Sequence, residues 1–334
     1  SVSFAHLGVF LKHCHKLLLG HWLCVVESLN FIYSECVQQV NLSFGFCPFP
    51  PGFRYGILKR RTRKDTNRME ILFLGTGHAI STRCYNTCYV LRQNERYLLV
   101  DGGGGNGILR QLKRARLPWQ KIKDIFVTHR HMDHVLGIFW VIRMIVKAMK
   151  RGTYVGEARI YGHDEVITLL RSTARLLLDP GDLKFLDTRL HFITVEDGET
   201  RKIRGWDVTF FDIHSTKAKQ FGYVLESNGH KLGCCGDEPM NDHNFTRLSG
   251  SQWLLHEAFC LYRERDRFRP YEKHHSTVRE ACENGDRLQV PNLILYHTED
   301  THLAQRKELY TAEGKEYYQG NLLIPDDLER VQLW

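Results

Sequence analysis

Four side chains that commonly bind metal ions lie within six positions of this chain. They are His129, His131, Asp133 and His134, in the pattern H-x-H-x-D-H. Imidazole nitrogens suit zinc, and a carboxylate beside them suits a pair of hard or borderline cations. The competing interpretation is a polar loop of solvated histidines. Because four ligands are packed so densely, the pattern favours a metal site.

The elements on either side of this motif are expected to hold it in place. Residues 124–127 are a short apolar run that indicates a buried strand, and residues 135–140 begin a helical pattern. The ligands therefore lie on a turn between a strand end and a helix start. Backbone fixed on both sides of such a turn suits a preorganised site.

Three further candidate ligands each follow an apolar run. His214 follows residues 210–213, Asp237 follows residues 233–236, and His297 follows residues 293–296. Each of them, taken alone, would more often be a structural residue than a ligand. Their shared placement at strand ends predicts that they meet in one site, which would then hold seven ligands, enough for two metal ions.

These residues together resemble the metallo-β-lactamase superfamily, and two more stretches resemble the ribonuclease Z family of tRNA 3′-end processing nucleases within it. Residues 254–259 are similar to the His-Glu-Ala-Thr motif of that family, and residues 273–281 are similar to its His-Ser-Thr-x-Arg-Glu-Ala motif. The resemblance covers residues 69–334. It implies a phosphodiester-cleaving hydrolase with two zinc ions per chain, Mn²⁺ or Fe²⁺ being the alternatives.

The resemblance also implies a role for each residue. One ion would bind to His129, His131 and His214, the other to Asp133, His134 and His297, and Asp237 would bridge them. Asp133 would be a catalytic residue as well as a metal ligand. His275 would protonate the leaving oxygen and Glu257 would orient it, since a cleaved ester needs an acid. The alternative for His275 is a neighbour of the N-cap at the start of the Thr277 helix.

The chain departs from the ribonuclease Z pattern where that family carries its tRNA-binding arm. After residues 220–223 only the seven residues 224–230 precede the next strand. Phe259 replaces the threonine of the His-Glu-Ala-Thr motif. Nucleic-acid affinity depends largely on phosphate contacts, so losing the arm is expected to weaken tRNA binding.

The order of the elements predicts the fold class. Strand blocks alternate with helices in two successive halves, which favours an α/β architecture of two mixed sheets with outer helices, an αββα sandwich. This is the metallo-β-lactamase fold that the resemblance implies. The glycine run 102–105 lacks the spacing of phosphate-binding loops, so we expect it to allow close backbone approach beside the metals.

Composition sets broader limits. The 334 residues are 43% hydrophobic and 25% charged with net charge +8, and residues 1–68 carry most of that charge, with nine Lys and Arg against three acidic residues. This segment has no regular period and precedes the first methionine, Met69. We therefore expect a leader over 1–68 that the catalytic domain, 69–334, does not need.

The sequence contains no run of about 20 apolar residues without charge, so a membrane span is not expected. The ten cysteines form no CxxC pair, which favours reduced thiols and a cytoplasmic location.

Several functions stay open at this stage. A ribonuclease Z-type enzyme acting on RNA is the leading interpretation, and a small-molecule hydrolase acting on a cyclic nucleotide, lactone or β-lactam is the second. A di-iron oxidoreductase would need a carboxylate in place of one histidine, and a metal-free binding subunit would not need seven ligands. The motifs around Glu257 and His275 favour phosphodiesters over lactams. A homodimer is expected only by analogy with the family.

Overall fold

The structure, a computed structural model, describes residues 68–334, so the leader predicted over 1–68 falls outside the described residues apart from Arg68. The strands within the described range are β1 Met69–Gly75, β2 Cys88–Gln93, β3 Arg96–Val100, β4 Asp124–Phe126, β5 Ala158–Gly162, β6 Leu190–Thr194, β7 Thr200–Ile203, β8 Trp206–Asp212, β9 Phe221–Ser227, β10 His230–Cys234, β11 Trp253–Glu257, β12 Asn292–Tyr296, β13 Asn321–Leu323 and β14 Arg330–Gln332. The α-helices are α1 Gly107–Arg114, α2 Met132–Lys150, α3 Asp164–Leu177, α4 Phe245–Leu248, α5 Arg265–Phe268, α6 Val278–Arg287 and α7 Arg306–Gly314.

The strands form two sheets of seven. The first has the order β14-β1-β2-β3-β4-β5-β6 and the second has the order β13-β12-β11-β10-β9-β8-β7. In the first sheet β1, β2 and β3 are antiparallel neighbours, and β3 to β6 are parallel. The second sheet is antiparallel from β7 to β10 and parallel from β10 to β13. Both sheets are therefore mixed, as the sequence predicts.

The two sheets pack face to face around one apolar layer. Side chains alternate between the faces of a strand, so Ile71 and Phe73 of β1 enter this layer while Leu72 turns to the other face. Phe126 from the first sheet meets Phe210 from the second, with ring centroids 4.9 Å apart. The layer between the sheets thus fixes the strand ends of both relative to each other.

Helices cover the outer faces of both sheets. Helix α2 packs the side chains of Ile138, Ile142 and Ile145 against the outer face of the first sheet. Helix α6 does the same on the second sheet with Val278 and Ala281. The four layers confirm the predicted αββα sandwich. The short strands β7, β13 and β14 are additional to the predicted ones, because each shows too little periodicity to detect, whereas the equally short β4 lies in the apolar run 124–127.

Helix α2 approaches the glycine run so closely that side chains are excluded from the contact. A Cβ at Gly137 would lie 1.8 Å from the carbonyl oxygen of Gly102. In its absence the Gly137 amide donates to the Gly103 oxygen over 2.8 Å, and the Gly102 amide donates to the His134 oxygen over 2.8 Å. The predicted role of the glycines in close backbone approach is confirmed, and it fixes the start of the helix that carries His134.

Candidate metal centre

Six of the seven predicted ligands meet at one edge of the sandwich. They come from the turn after β4, from the first turn of α2, and from the residues that follow β10 and β12. Their ligand atoms form two groups, each within 4.8 Å: Asp133, His134, Asp237 and His297 in one, and His129, His131 and Asp237 in the other. Parallel strands end at the same edge of a sheet, which is why separate segments converge here.

The spacing in the first group suits ligands that share an ion. His134 Nε2 lies 3.3 Å from Asp133 Oδ2 and 3.5 Å from Asp237 Oδ2. His297 Nε2 lies 2.8 Å from Asp237 Oδ1. Metal–ligand bonds of about 2.0–2.2 Å place adjacent ligand atoms about 3–3.5 Å apart. A single cation would therefore contact all four side chains with little rearrangement.

The second group shares Asp237 with the first. His129 Nε2 lies 2.8 Å from His131 Nδ1 and 3.6 Å from Asp237 Oδ2. Asp237 Oδ2 thus faces both ligand groups, because it also lies 3.5 Å from His134 Nε2 of the first group. Asp237 follows Gly236, whose φ of +85° is readily adopted only by glycine, and this turn directs the chain away from β10. The arrangement matches the bridging role that the resemblance implies for Asp237.

Unpartnered polar atoms support the fit to a cation. His134 Nε2 is buried and has no hydrogen-bond partner among the described residues. Asp237 Oδ1 makes no hydrogen bond either, although it lies 2.8 Å from His297 Nε2. Leaving buried polar atoms unsatisfied costs about 1–3 kcal/mol each. These two buried atoms converge at the site without hydrogen-bond partners, which fits a site that binds a cation.

The charges at the centre point the same way. Burial lowers the pKa of His134, but the nearby carboxylates of Asp133 and Asp101 outweigh it and raise that pKa well above its usual value. Burial raises the pKa of Asp237, whereas His297 and other neighbouring histidines hold it well below its usual value. Asp101, Asp133 and Asp237 thus place three buried carboxylates at one site, and divalent cations would compensate their negative charge.

A carboxylate absent from the predicted site residues orients one ligand. Asp101 follows β3, and its Oδ2 accepts a hydrogen bond from His134 Nδ1 over 2.8 Å. The same carboxylate accepts from the amide and hydroxyl of Thr128, both over 2.8 Å. A histidine whose Nδ1 is engaged in this way presents Nε2 to the metal. In the sequence, the feature that could have indicated this role is the position of Asp101 at a strand end, immediately before the glycine run.

Two threonines play the same part for other ligands. Thr128 Oγ1 lies 2.9 Å from His129 Nδ1, and Thr87 Oγ1 lies 3.1 Å from His297 Nδ1. Both contacts are buried, so they fix the rings without competition from solvent. His129 and His297 consequently also turn Nε2 toward the ligand groups.

The seventh predicted ligand, His214, is not brought into either group. It is exposed, its φ is +56°, and its amide donates to Asp212 Oδ1 over 2.7 Å. Its ring packs on His243 instead, with centroids 4.7 Å apart. The structure therefore departs from the predicted set at this residue. The departure has a local cause, because the imidazole gains a ring partner on the segment before α4.

His275 and Glu257 lie next to the ligand groups. The His275 ring is 5.3 Å from the His297 ring, and its Nδ1 is 3.5 Å from Glu257 Oε2. Glu257 is buried at the end of β11, and its Oε1 accepts from the Ser276 amide and hydroxyl over 2.5 and 2.7 Å. Burial lowers the pKa of His275, but Glu257 and Asp237 outweigh this and raise it. The helix cap belongs to Thr277, whose amide donates to Glu280.

An aromatic wall beside His275 was not anticipated from the sequence. Phe259, at the position of the family's threonine, packs its ring 4.7 Å from His78 and 5.4 Å from His275. Burial, together with the charges of His297 and His275, lowers the pKa of His78 to about 4. His78 is therefore a neutral side chain bordering the site. Its only signal in the sequence is its position in the turn after β1.

A cleft of about 760 Å³ opens from the metal centre beside His131. It lies between the start of α2, the start of α3 and the loop after β8, and its walls carry charges of both signs. Arg130 pairs with Glu165 over 3.2 Å, and Lys217 adds a further positive charge to the lining. The cleft therefore presents both anionic and cationic side chains beside His131.

Comparison with known proteins places the chain in a family. The family model described as "Anti-Pycsar protein Apyc1" matches residues 69–319, which is most of the chain and includes every predicted site residue. The chain belongs to the Apyc1 family. The Apyc1-family match begins at Met69, the first residue of the predicted catalytic domain.

Curated relatives of this Apyc1-family chain are named ribonuclease Z. That of Thermococcus sibiricus is 27% identical, covering 79% of this chain and 96% of the relative. That of Pyrococcus horikoshii is 25% identical with the same two coverages, 79% and 96%. The chain is thus a ribonuclease Z-like member of the metallo-β-lactamase superfamily, as the motifs indicated, and a metal-dependent hydrolase.

Solved structures confirm the fold of this Apyc1-family chain. The metallo-β-lactamase fold protein YhfI from Bacillus subtilis superposes with a TM-score of 0.67 at 17% identity, covering 80% of this chain and 100% of YhfI. The short form of human tRNase Z superposes with a TM-score of 0.61 at 19% identity, covering 79% and 99%. No helix among residues 68–334 is long and apolar enough to span a bilayer.

Proposed function

We propose that this Apyc1-family chain is a dinuclear zinc phosphodiesterase, with Mn²⁺ or Fe²⁺ as alternative metals. The observation that carries the proposal is the Asp237 carboxylate, which belongs to both ligand groups. A carboxylate shared by two groups is what a two-ion centre needs. Asp133, His134 and His297 would hold one ion with Asp237. His129 and His131 would hold the other, with His214 as the predicted ligand still to be tested.

Each residue of the centre has a separate task in this proposal. Bound cations would supply activation of water and stabilisation of negative charge on the phosphate. His275 would donate a proton to the leaving oxygen from Nε2, because its Nδ1 faces Glu257. Glu257 would orient His275 and keep it protonated, and Ser276 holds Glu257 in turn.

Two substrate classes follow from two different observations. The curated relatives named ribonuclease Z support an RNA substrate. The hairpin between β9 and β10 favours a small phosphodiester such as a cyclic nucleotide. There Ser227 pairs directly with His230 across Asn228 and Gly229, whose φ values of +53° and +79° suit a two-residue turn. A turn this tight has no room for an arm that grips RNA.

A homodimer in the cytoplasm is the remaining part of the proposal. Helices α2 and α3 carry an exposed apolar face beside the glycine run, made of Leu136, Trp140 and Leu177. Self-association would remove this face from water. Six free cysteines among the described residues agree with a reducing compartment. The molar mass of the wild-type chain and of Trp140→Glu, measured by light scattering, tests the dimer, which should persist only in the wild type.

The activity is tested on the purified full chain with zinc or manganese supplied. Bis-nitrophenyl phosphate, cyclic nucleotides and RNA with a 3′ extension are offered in parallel, with a chelator-treated sample and Asp237→Ala as controls. Hydrolysis that needs metal and Asp237 supports the proposal. Metal-loaded wild-type protein that cleaves none of these phosphodiesters refutes it.

A further inference from the structure

A third group of ligand atoms lies outside the centre described above. It contains Glu264, in the short 3-10 helix that follows β11, and Glu299 and His302, in the loop that follows β12. One ligand atom from each of the three lies within 4.8 Å of the others. His302 Nε2 is 3.0 Å from Glu264 Oε1, within hydrogen-bond distance, and the same separation suits adjacent ligands of one metal ion with bonds of about 2.1 Å.

Two carboxylate oxygens in this group are buried without partners. Glu299 is only 2% exposed, and while its Oε2 accepts from the Thr301 amide, its Oε1 has no hydrogen-bond partner. Glu264 Oε2 is likewise buried and unpartnered within the described part of the chain. A buried carboxylate oxygen that bonds neither protein nor solvent is costly unless a cation or a proton meets it.

The surroundings do not supply that positive charge strongly. Arg267 reaches Glu264 Oε1 only at 3.4 Å, and it is exposed. The terminal nitrogens of Arg306 are committed elsewhere, to Thr76, Thr298 and the segment 325–326. Burial is the main cause that raises the pKa of the Cys260 thiol, and the carboxylates of Glu257, Glu299 and Glu264 add to it.

We propose that Glu264, Glu299 and His302 form a third divalent metal site, distinct from the two-ion centre. Two carboxylates and one imidazole suit zinc or manganese, whereas magnesium and calcium prefer all-oxygen sites. The site would join the loop after β11 to the loop that begins at His297. Arg83 already braces that second loop, donating to the carbonyl oxygens of Asp300 and Thr301 over 3.0 and 2.8 Å.

The test is a metal count on the full chain. Wild type, Glu264→Gln and His302→Gln are stripped with chelator, reloaded with Zn²⁺ or Mn²⁺, desalted and analysed for metal per chain. The control for His302→Gln is His191→Gln, because His191 is 30% exposed beside Glu157 and His302 is 28% exposed beside Glu264. The control for Glu264→Gln is Glu272→Gln, which removes an exposed carboxylate paired with Arg269.

Both site variants should hold about one metal equivalent fewer than wild type, and both controls should match wild type. The zinc-induced rise in unfolding temperature should also be smaller in the site variants. This readout is a difference between variants, so it holds whether the main centre carries two ions, one or none, and it is independent of the proposed function. Equal metal content in wild type, Glu264→Gln and His302→Gln overturns the third site, and so does a loss in the controls as large as in the site variants.

Discussion

Asp101 Oδ2 lies 2.8 Å from His134 Nδ1, and both side chains are buried beneath the metal centre. The contact joins the end of β3 to the first turn of α2. Asp101 adopts a φ of +58°, a left-handed conformation that is unfavourable for a residue other than Gly, Asn or Asp. Aspartate is one of the few residue types that tolerate this conformation, so the same residue suits both the backbone at this point and the ligand that it orients.

Asp101→Asn should weaken metal binding. The amide keeps the shape of the carboxylate but loses the negative charge that makes His134 a better ligand, so affinity should fall by about 10–100-fold. Competition with a chromogenic chelator measures this. Asp207→Asn serves as a control, because Asp207 pairs with Lys202 and belongs to none of the ligand groups. An affinity equal to wild type would show that Asp101 acts on folding alone.

Asp237→Ala and His275→Ala should fail in different ways. Removing Asp237 takes the shared carboxylate from both ligand groups, so the purified variant should contain less metal. Removing His275 should leave the metal content unchanged and lower turnover by about 10²–10⁴-fold, because only the acid is lost. Elemental analysis beside kinetics separates the two. Equal zinc loss in both variants would make His275 a ligand or a structural residue.

The pH profile should report the coupling of His275 to Glu257. The pKa of His275 is raised, so the protonated acid persists above the usual histidine range and activity should fall as pH rises through that raised value. Glu257→Gln removes the charge that raises the pKa, so the falling limb of kcat/KM should move to lower pH. Glu283→Gln, an exposed carboxylate paired with Arg279, should leave the limb in place. A limb unmoved in Glu257→Gln would exclude His275 as the titrating acid.

Small phosphodiesters should be better substrates than precursor tRNA. Hydrolysis at the metals needs only the phosphate and its neighbours, whereas positioning a whole tRNA needs remote contacts that the turn at Asn228 and Gly229 does not offer. The comparison is kcat/KM for a nitrophenyl phosphodiester against 3′-extended tRNA. Efficient, site-specific trimming of tRNA at low enzyme concentration would instead favour tRNA maturation.

A chain that begins at Met69 should retain the fold, the metal and the activity. The Met69 amide donates to the Trp334 oxygen over 2.9 Å, and Ile71 pairs with Val331, so strands β1 and β14 close the first sheet within the described residues. Circular dichroism, metal content and turnover of the shortened chain are compared with those of the full chain. Insoluble or metal-free protein after this truncation would show that residues before Met69 are required.

Much of the fold and site could be predicted from local patterns. The apolar period of α2 predicts a helix with one buried face. The apolar runs before His214, Asp237 and His297 predict strands that end at these residues. Both patterns are properties of consecutive residues. The H-x-H-x-D-H motif is local in the same way, because its four ligands lie within six consecutive residues. For these features, neighbours along the chain are also neighbours in space.

The remaining features depend on which distant segments meet. Asp101 is 33 residues from His134, and its role appears only when β3 lies beside β4. His214 satisfies the strand-end pattern, yet its ring packs on His243, a neighbour that no local period reveals. The pairing of Glu264 with His302 likewise depends on β11 lying beside β12. Hydrogen bonds and ring contacts act over a few ångströms, so the packing of the two sheets, and not spacing along the chain, selects these partners.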